Sequence, residues 1–201
     1  MLAFVVALTG CSQTKSAKTD NSDSNVVIET ILARHSVRSY KNQPVEREKL
    51  EQIVKCGISA PSAPNEQPWA LRVVTDSAFF NGSSRDYYAA NPPENGVIPT
   101  VSIYRNAPVV IFVATPSENK GLIDCGMLGE NMMIAAQSLG LGSVTLTRPI
   151  RYLNGTESLK PYIDKLNLPE GYELIFGIGL GYPNITPNPT PRDESKVEFI
   201  D

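Results

Sequence analysis

The chain has 201 residues, a net charge of −3 and 41% hydrophobic residues, which is typical of one soluble domain with a substantial core. Its acidic balance, with a pI near 5.3, argues against a nucleic-acid partner, because such a partner selects a basic protein face. No apolar run approaches the roughly 20 residues that a membrane-spanning helix needs. The chain has one histidine and no Cys-x-x-Cys pair, which argues against a zinc site.

The N-terminal segment combines a short apolar run with the ending Leu8-Thr9-Gly10-Cys11. Residues 1–11 therefore resemble a bacterial lipoprotein signal, in which cleavage leaves Cys11 as a lipid-bearing N-terminus. No Lys or Arg precedes Cys11, so the alternative is an apolar N-terminus without a signal. Residues 12–25 contain no large apolar residue, which predicts a flexible polar tether leading to a domain at 26–201.

A basic cluster follows the first predicted helix. Apolar residues recur at helical spacing over 27–32 and predict one short helix. Directly after it comes Arg34-His35-Ser36-Val37-Arg38. A guanidinium donates to two phosphate oxygens at once and Ser adds a short hydroxyl donor, so this cluster is a candidate anion site. The alternative is a basic helix end that offsets the helix dipole.

A proline-rich loop occupies residues 60–69, with the sequence Ala-Pro-Ser-Ala-Pro-Asn-Glu-Gln-Pro-Trp. Its three prolines fix the backbone and remove N–H donors. Ser62, Asn65 and Gln67 offer donors and acceptors, and Trp69 offers a flat apolar face. The loop therefore suits a planar ring with a polar edge, although an ordinary turn between a helix and a strand is the alternative.

The remaining elements follow from apolar periodicity. Residues 77–106 are irregular and polar and form a candidate lid. Cys56 lies near the apolar face of the second helix and is expected to be a small core residue. Glycines three apart on the longest helix suit a helix buried at a dimer centre. The predicted helices are 44–59, 120–139 and 159–166, and the predicted strands are 70–75, 107–114, 143–147 and 173–181.

Four blocks together resemble the FMN-dependent nitroreductase family, from about residue 26 to the end. The resemblance implies an α+β fold, with a mostly antiparallel sheet flanked by helices. It also implies an intertwined homodimer in which an extended C-terminal tail wraps the partner. The blocks are Arg34-His35-Ser36-x-Arg38, Pro61-Ser62-x-x-Asn65-x-Gln67-Pro68-Trp69, Gly140-Leu141-Gly142-Ser143, and Gly181-Tyr182-Pro183 followed by Arg192.

The resemblance implies FMN as the cofactor and assigns its phosphate to Arg34 and Arg192, helped by Ser36 and His35. It places Arg38 near the N1 and C2 carbonyl edge of the flavin. Reduced flavin carries negative charge at that edge, so a cation there favours two-electron reduction.

The resemblance assigns the ring edge to the proline-rich loop of the other subunit and the N5 region to the end of a strand. Two departures weaken the match: Ala63 stands where the family often has Ser, and Thr190 stands where it often has Lys. The residues implied are Pro61, Ser62, Ala63, Asn65 and Gln67 for the edge, and Thr147 and Arg148 beside N5.

The implied reaction is a ping-pong transfer of two electrons. NAD(P)H delivers hydride to FMN and leaves, and a nitroaromatic, quinone or similar flat acceptor then occupies the same face. The flavin performs the redox chemistry, so no catalytic side chain is assigned. The alternatives are a flavin- or ligand-binding lipoprotein without turnover and a colourless surface lipoprotein. A Ser/His hydrolase is disfavoured because no Gly-x-Ser-x-Gly motif is present.

We predict that Cys11 is lipidated and that the domain is anchored to a membrane outside the cytoplasm; without processing it is cytoplasmic. An extracytoplasmic position is in tension with NAD(P)H as donor, because NAD(P)H is scarce there. Cell fractionation with a fatty-acid probe tests the prediction. A soluble, unlabelled protein contradicts lipidation.

Overall fold

The computed structural model describes residues 25–118 and 121–200. The lipoprotein signal expected at 1–11, and all of the expected tether except Asn25, lie outside these residues. Within them, no helix combines the length and apolar character needed to cross a membrane. The α-helices are α1 Val26–Ala33, α2 Arg47–Gly57, α3 Ser77–Ala90, α4 Leu122–Ser138, α5 Arg148–Gly155 and α6 Lys160–Lys165. The strands are β1 Ala70–Val74, β2 Val109–Pro116, β3 Gly142–Leu146 and β4 Tyr172–Gly181.

The four strands form one sheet in the order β1-β2-β4-β3, and every neighbouring pair is antiparallel. Strand β2 lies between β1 and β4, and its residues are buried from 109 to 115. Burial on both faces explains why this strand reads as a continuous apolar run without alternation. The expected α+β fold with an antiparallel sheet is confirmed.

Alternate residues of β2 enter two different cores, because successive side chains of a strand point to opposite faces. Phe112 belongs to a core rich in aromatic rings, on the side of α3, α5 and α6. Ile111 belongs to the second core, on the side of α2 and α4, with Leu128 and Met132. The two cores enclose the sheet and hold the start of β3 and the end of β4 in fixed positions.

Most predicted elements are present with boundaries shifted by a few residues. Helix α2 begins at Arg47, three residues after the predicted start, and α4 is the longest helix among the described residues. Helix α5 was not predicted. The C-terminal segment after β4 is mostly exposed and contains one short 3-10 helix, Glu194–Lys196. An extended tail that wraps a partner subunit stays a prediction.

Residues 77–90 are helical, so the prediction of an irregular lid over 77–106 is wrong for this half. Asp76 caps α3 by accepting a hydrogen bond of 2.8 Å from the Ala78 amide. Ser83 and Ser84 are buried, and their hydroxyls donate to backbone carbonyls one turn earlier. The buried face of α3 therefore contains polar residues whose hydroxyls are satisfied by the backbone of their own helix, so its periodicity is hidden in the sequence.

Cys56 is exposed, so its prediction as a core residue is wrong. Helix α2 buries Leu50, Ile53 and Gly57 instead, and Cys56 falls on the neighbouring face. Gly57 is fixed there by a close approach, because a Cβ at this position would lie 2.5 Å from Cγ of Met132.

We predict that Phe112→Ala lowers the free energy of unfolding by about 3–5 kcal/mol, because it opens a cavity in a packed core. The Phe112 ring is fully buried, with its centroid 5.7 Å from that of Phe79 and 6.0 Å from that of Tyr104. Urea unfolding at fixed protein concentration measures the change. The control is Val97→Ala, at a residue 65% exposed, which should cost less than about 0.5 kcal/mol. Equal effects would contradict this placement of the core.

Candidate functional site

A cavity of about 610 Å³ lies between β3, the start of α5 and the segment that follows α3. Three arginines line it, Arg38 from the basic cluster, Arg105 from a turn before β2, and Arg148 from the first turn of α5. Its walls also include three aromatic side chains, Tyr87, Tyr88 and Tyr152. The last two residues of β3, Thr145 and Leu146, and the next residue, Thr147, also line the cavity.

None of these three guanidiniums forms a salt bridge within residues 25–118 and 121–200. Arg38 makes one long contact of 3.4 Å from Nη1 to the carbonyl of Ser36. Guanidiniums keep their charge at any ordinary pH. The cavity therefore concentrates positive charge and suits an anionic ligand.

Tyrosines form one wall of the cavity. The rings of Tyr87 and Tyr152 stack with centroids 4.0 Å apart and planes 19° apart. Tyr88 meets Tyr87 edge to face at 5.3 Å. Burial, with a smaller contribution from Tyr152, raises the pKa of Tyr87 to about 12, and burial also raises the pKa of Tyr88. Both phenols therefore stay protonated near neutral pH and leave the positive charge of the arginines uncompensated.

Residues 36–38 are fixed to the edge of the sheet. Ser36 and Ser143 form an isolated parallel bridge, and the Val37 amide donates to the Ser143 carbonyl at 2.8 Å. Val37 is buried against Gly142, where an added Cβ would lie 2.6 Å from a Val37 methyl. This close approach explains the glycine before Ser143 and sets Arg38 beside the cavity.

The other half of the basic cluster lies away from this cavity. Arg34 forms a salt bridge of 3.2 Å from Nε to Oε1 of Glu130 on α4. His35 lines a separate cavity of about 260 Å³ together with Pro183 at the start of the tail. Neither Arg34 nor His35 lines the cavity that holds Arg38.

The proline-rich loop is exposed over most of residues 61–67, with Ser62 half-buried, and does not line the cavity of its own chain. Asn65 and Gln67 both adopt left-handed backbone, with φ of 71° and 50°. Hydrogen bonds within the loop hold this shape. The backbone N–H of Gln67 donates to Oγ of Ser62 at 3.0 Å, and the backbone N–H of Asn65 donates to the Ser62 carbonyl at 2.6 Å. Pro61, Ser62, Ala63, Asn65 and Gln67 are therefore presented outward on a defined loop.

The structure brings some predicted residues together and leaves others apart. Thr147 and Arg148 line the same cavity as Arg38, because Thr147 directly follows β3 and Arg148 begins α5. Arg192 lies on the exposed C-terminal segment and does not line this cavity. Sequence reasoning missed the three tyrosines and Arg105, although Tyr87-Tyr88 was a visible aromatic pair in the segment considered as a lid.

A larger groove, of about 810 Å³, lies elsewhere on the chain and includes Lys41, Gln43, Arg47 and Asn81. It holds none of the residues predicted to bind a cofactor, and its Arg47 is paired with Glu51 at 2.8 Å. We therefore place the functional site in the smaller cavity. No group of three His, Cys, Asp or Glu side chains in the described part of the chain is arranged to hold a metal ion.

Residues 31–182 match the Nitroreductase family, so the chain belongs to this family. It is 32% identical over 178 residues to the NADPH-flavin oxidoreductase of Vibrio harveyi, covering 84% of this chain and 70% of that protein. It is 27% identical over 183 residues to the FMN reductase (NADPH) of Bacillus subtilis, covering 84% of this chain and 70% of that protein.

Solved structures show the same fold. A nitroreductase with bound FMN from Desulfitobacterium hafniense superposes with a TM-score of 0.79 at 26% identity, over 89% of this chain and 100% of that one. An FMN-dependent nitroreductase from Clostridium difficile superposes with a TM-score of 0.75 at 25% identity, over 88% and 99%.

Proposed function

We propose that this protein is an FMN-dependent oxidoreductase that transfers two electrons from NAD(P)H to a nitroaromatic, a quinone or a similar flat acceptor. The observation that carries this proposal is the cavity of about 610 Å³ with a tyrosine wall and three guanidiniums that form no salt bridge with any described residue. The flavin ring of FMN is flat and becomes negatively charged on reduction, so its shape and charge match the cavity. Family membership and flavin-dependent relatives support the same assignment.

Bound flavin supplies the centre that accepts and donates hydride, and the protein supplies its surroundings. Arg38 holds a permanent positive charge in the cavity, which stabilises negative charge on a reduced ring. The stacked rings of Tyr87 and Tyr152 form a flat apolar wall of the cavity. Thr147 and Arg148 lie at the same cavity, as their predicted place beside N5 requires.

We assign the flavin phosphate to Arg34 and Arg192, helped by Ser36 and His35. Glu130 holds the Arg34 side chain by a single contact at Nε, which leaves the terminal nitrogens to donate to a phosphate. The exposed loop with Pro61, Ser62, Ala63, Asn65 and Gln67 contacts the ring edge of the partner's flavin. Its outward presentation and its absence from the cavity of its own chain support that assignment.

The site requires a homodimer, and an exposed apolar surface supports one. Helix α1 contacts α4 and leaves its apolar residues exposed, among them Ile28 and Leu32. On α4, Ile123 is 80% exposed and Met127 is also exposed. Exposed apolar side chains on two contacting helices, here called the apolar patch, are typical of an association surface.

We predict that the wild-type protein has twice the 21.9 kDa mass of the chain in light scattering after gel filtration. Ile28→Glu introduces a charge into the apolar patch and should shift the mass toward one chain. Val97→Glu, outside this patch, should leave the dimer intact. A wild-type monomer at micromolar concentration contradicts the two-subunit site.

Steady-state kinetics test the reaction. With NADPH and 1,4-benzoquinone varied together, we expect parallel double-reciprocal lines, because the first product leaves before the acceptor binds. Intersecting lines contradict the ping-pong order. A flavin-loaded protein that oxidises neither NADH nor NADPH with any acceptor would favour the alternative, a flavin-binding protein without turnover.

We predict that Arg34→Gln with Arg192→Gln weakens FMN binding by at least about a hundredfold, because two charge-assisted contacts to phosphate are lost. Fluorescence titration of the stripped protein with FMN measures the dissociation constant. Arg47→Gln is the matched control, since Arg47 is exposed and paired with Glu51. Unchanged FMN affinity in the double variant contradicts the phosphate assignment.

We also propose attachment to a membrane through Cys11. The apolar run that ends at Cys11 and the polar spacer of residues 12–25 support this proposal.

A further inference from the structure

A strained turn before β2 presents Arg105 to the cavity. Arg105 and Asn106 both adopt left-handed backbone, with φ of 62° and 55°. Residues other than glycine avoid this conformation, and Arg has none of the local side-chain hydrogen bonding that helps Asn tolerate it. The turn is therefore held by its surroundings.

Four hydrogen bonds hold the turn in place. The backbone N–H of Ser102 donates to Oδ1 of Asn106 at 2.7 Å, and the backbone N–H of Asn106 donates to Oγ of Ser102 at 2.9 Å. The Ile103 amide donates to the buried hydroxyl of Ser84 at 3.2 Å. Tyr104 is fully buried beside it, with its hydroxyl 3.0 Å from that of Ser83. Arg105 therefore extends from a rigid base, whose geometry does not depend on the guanidinium itself.

The position of the Arg105 charge is defined by its neighbours. Arg105 lies near Tyr88, and its charge opposes the rise that burial causes in the pKa of that phenol. Arg148 acts in the same way on Tyr87. The rings of Tyr87 and Tyr88 lie 5.3 Å apart, so one cation accompanies each of these two rings. Arg105 has no carboxylate partner in the described ranges.

We propose that Arg105 determines specificity by binding a carboxylate on an aromatic acceptor that lies against Tyr88. This proposal rests on the proposed function and adds the charge of the acceptor. An aromatic carboxylate matches a cavity that offers an aromatic wall and a guanidinium at the same place. Arg38 and Arg148 are assigned to the cofactor, so Arg105 is the cation left in this cavity to select the substrate.

Binding of unreactive probes to the purified holoprotein tests the proposal without turnover. By isothermal titration calorimetry we expect benzoate to bind about tenfold more tightly than benzamide, as one charge-assisted hydrogen bond provides. Arg105→Gln should remove this preference, and Arg105→Lys should restore part of it. Arg151→Gln is the matched control, because Arg151 lies on α5, is exposed and does not line the cavity.

Turnover gives a second readout. The ratio of kcat/KM for 4-nitrobenzoate to that for 4-nitrobenzamide should fall about tenfold in Arg105→Gln and stay unchanged in Arg151→Gln. Flavin content and the rate with 4-nitrobenzamide report whether the variant is intact. A wild-type protein without turnover overturns the proposed function, and the calorimetry still tests Arg105.

Three results overturn the proposal. The first is no preference of the wild type for benzoate over benzamide. The second is an equal loss of the preference for benzoate in Arg105→Gln and Arg151→Gln, which indicates a long-range effect of net charge. The third is a change confined to the preference between NADPH and NADH, which assigns Arg105 to a phosphate of the donor.

Discussion

The close approach of residues 36–38 to β3 decides where the functional site lies. Val37 packs on Gly142 and donates its amide to Ser143, so the basic segment continues the edge of the sheet. This contact joins the N-terminal part of the chain to the strand that leads into Thr147 and Arg148. A larger residue at Gly142 would separate residues 36–38 from β3, and the cavity would lose one of its walls.

Positive charge without a counterion is the second constraint. Guanidiniums that share a cavity repel one another, and an anionic ligand relieves this repulsion. Tyrosines do not provide that relief, because burial keeps their phenols protonated. The architecture is thus suited to a flavin that carries a phosphate and becomes negatively charged at its ring on reduction. It is equally suited to an acceptor with an anionic substituent.

The sheet and most helices were predictable because their apolar periodicity is strong. Strand β2 is a continuous buried run, and α4 is long and apolar. Helix α3 was missed because Ser83 and Ser84 are buried and satisfied by their own helix backbone. Cys56 was assigned to the core because it lies next to the buried face of α2. A shift of one residue around the helix is enough to change a buried position into an exposed one.

The candidate site was predictable only in part. The family resemblance pointed to Arg38, Thr147 and Arg148, which the fold brings to one cavity. Arg105 could not be identified as a site residue from the sequence. Its position depends on left-handed backbone at Arg105 and Asn106, which the sequence does not predict. The proline-rich loop was assigned to the flavin of a partner subunit, so its place beside the cofactor does not appear within one chain. Arg192 lies on the exposed C-terminal segment and does not line this cavity.

The absorption spectrum of the purified protein, with identification of the chromophore released on unfolding, tests the central claim most directly. We expect a yellow protein that releases one FMN per chain on unfolding and regains its spectrum when FMN is added back. A colourless protein that binds no added FMN would contradict it.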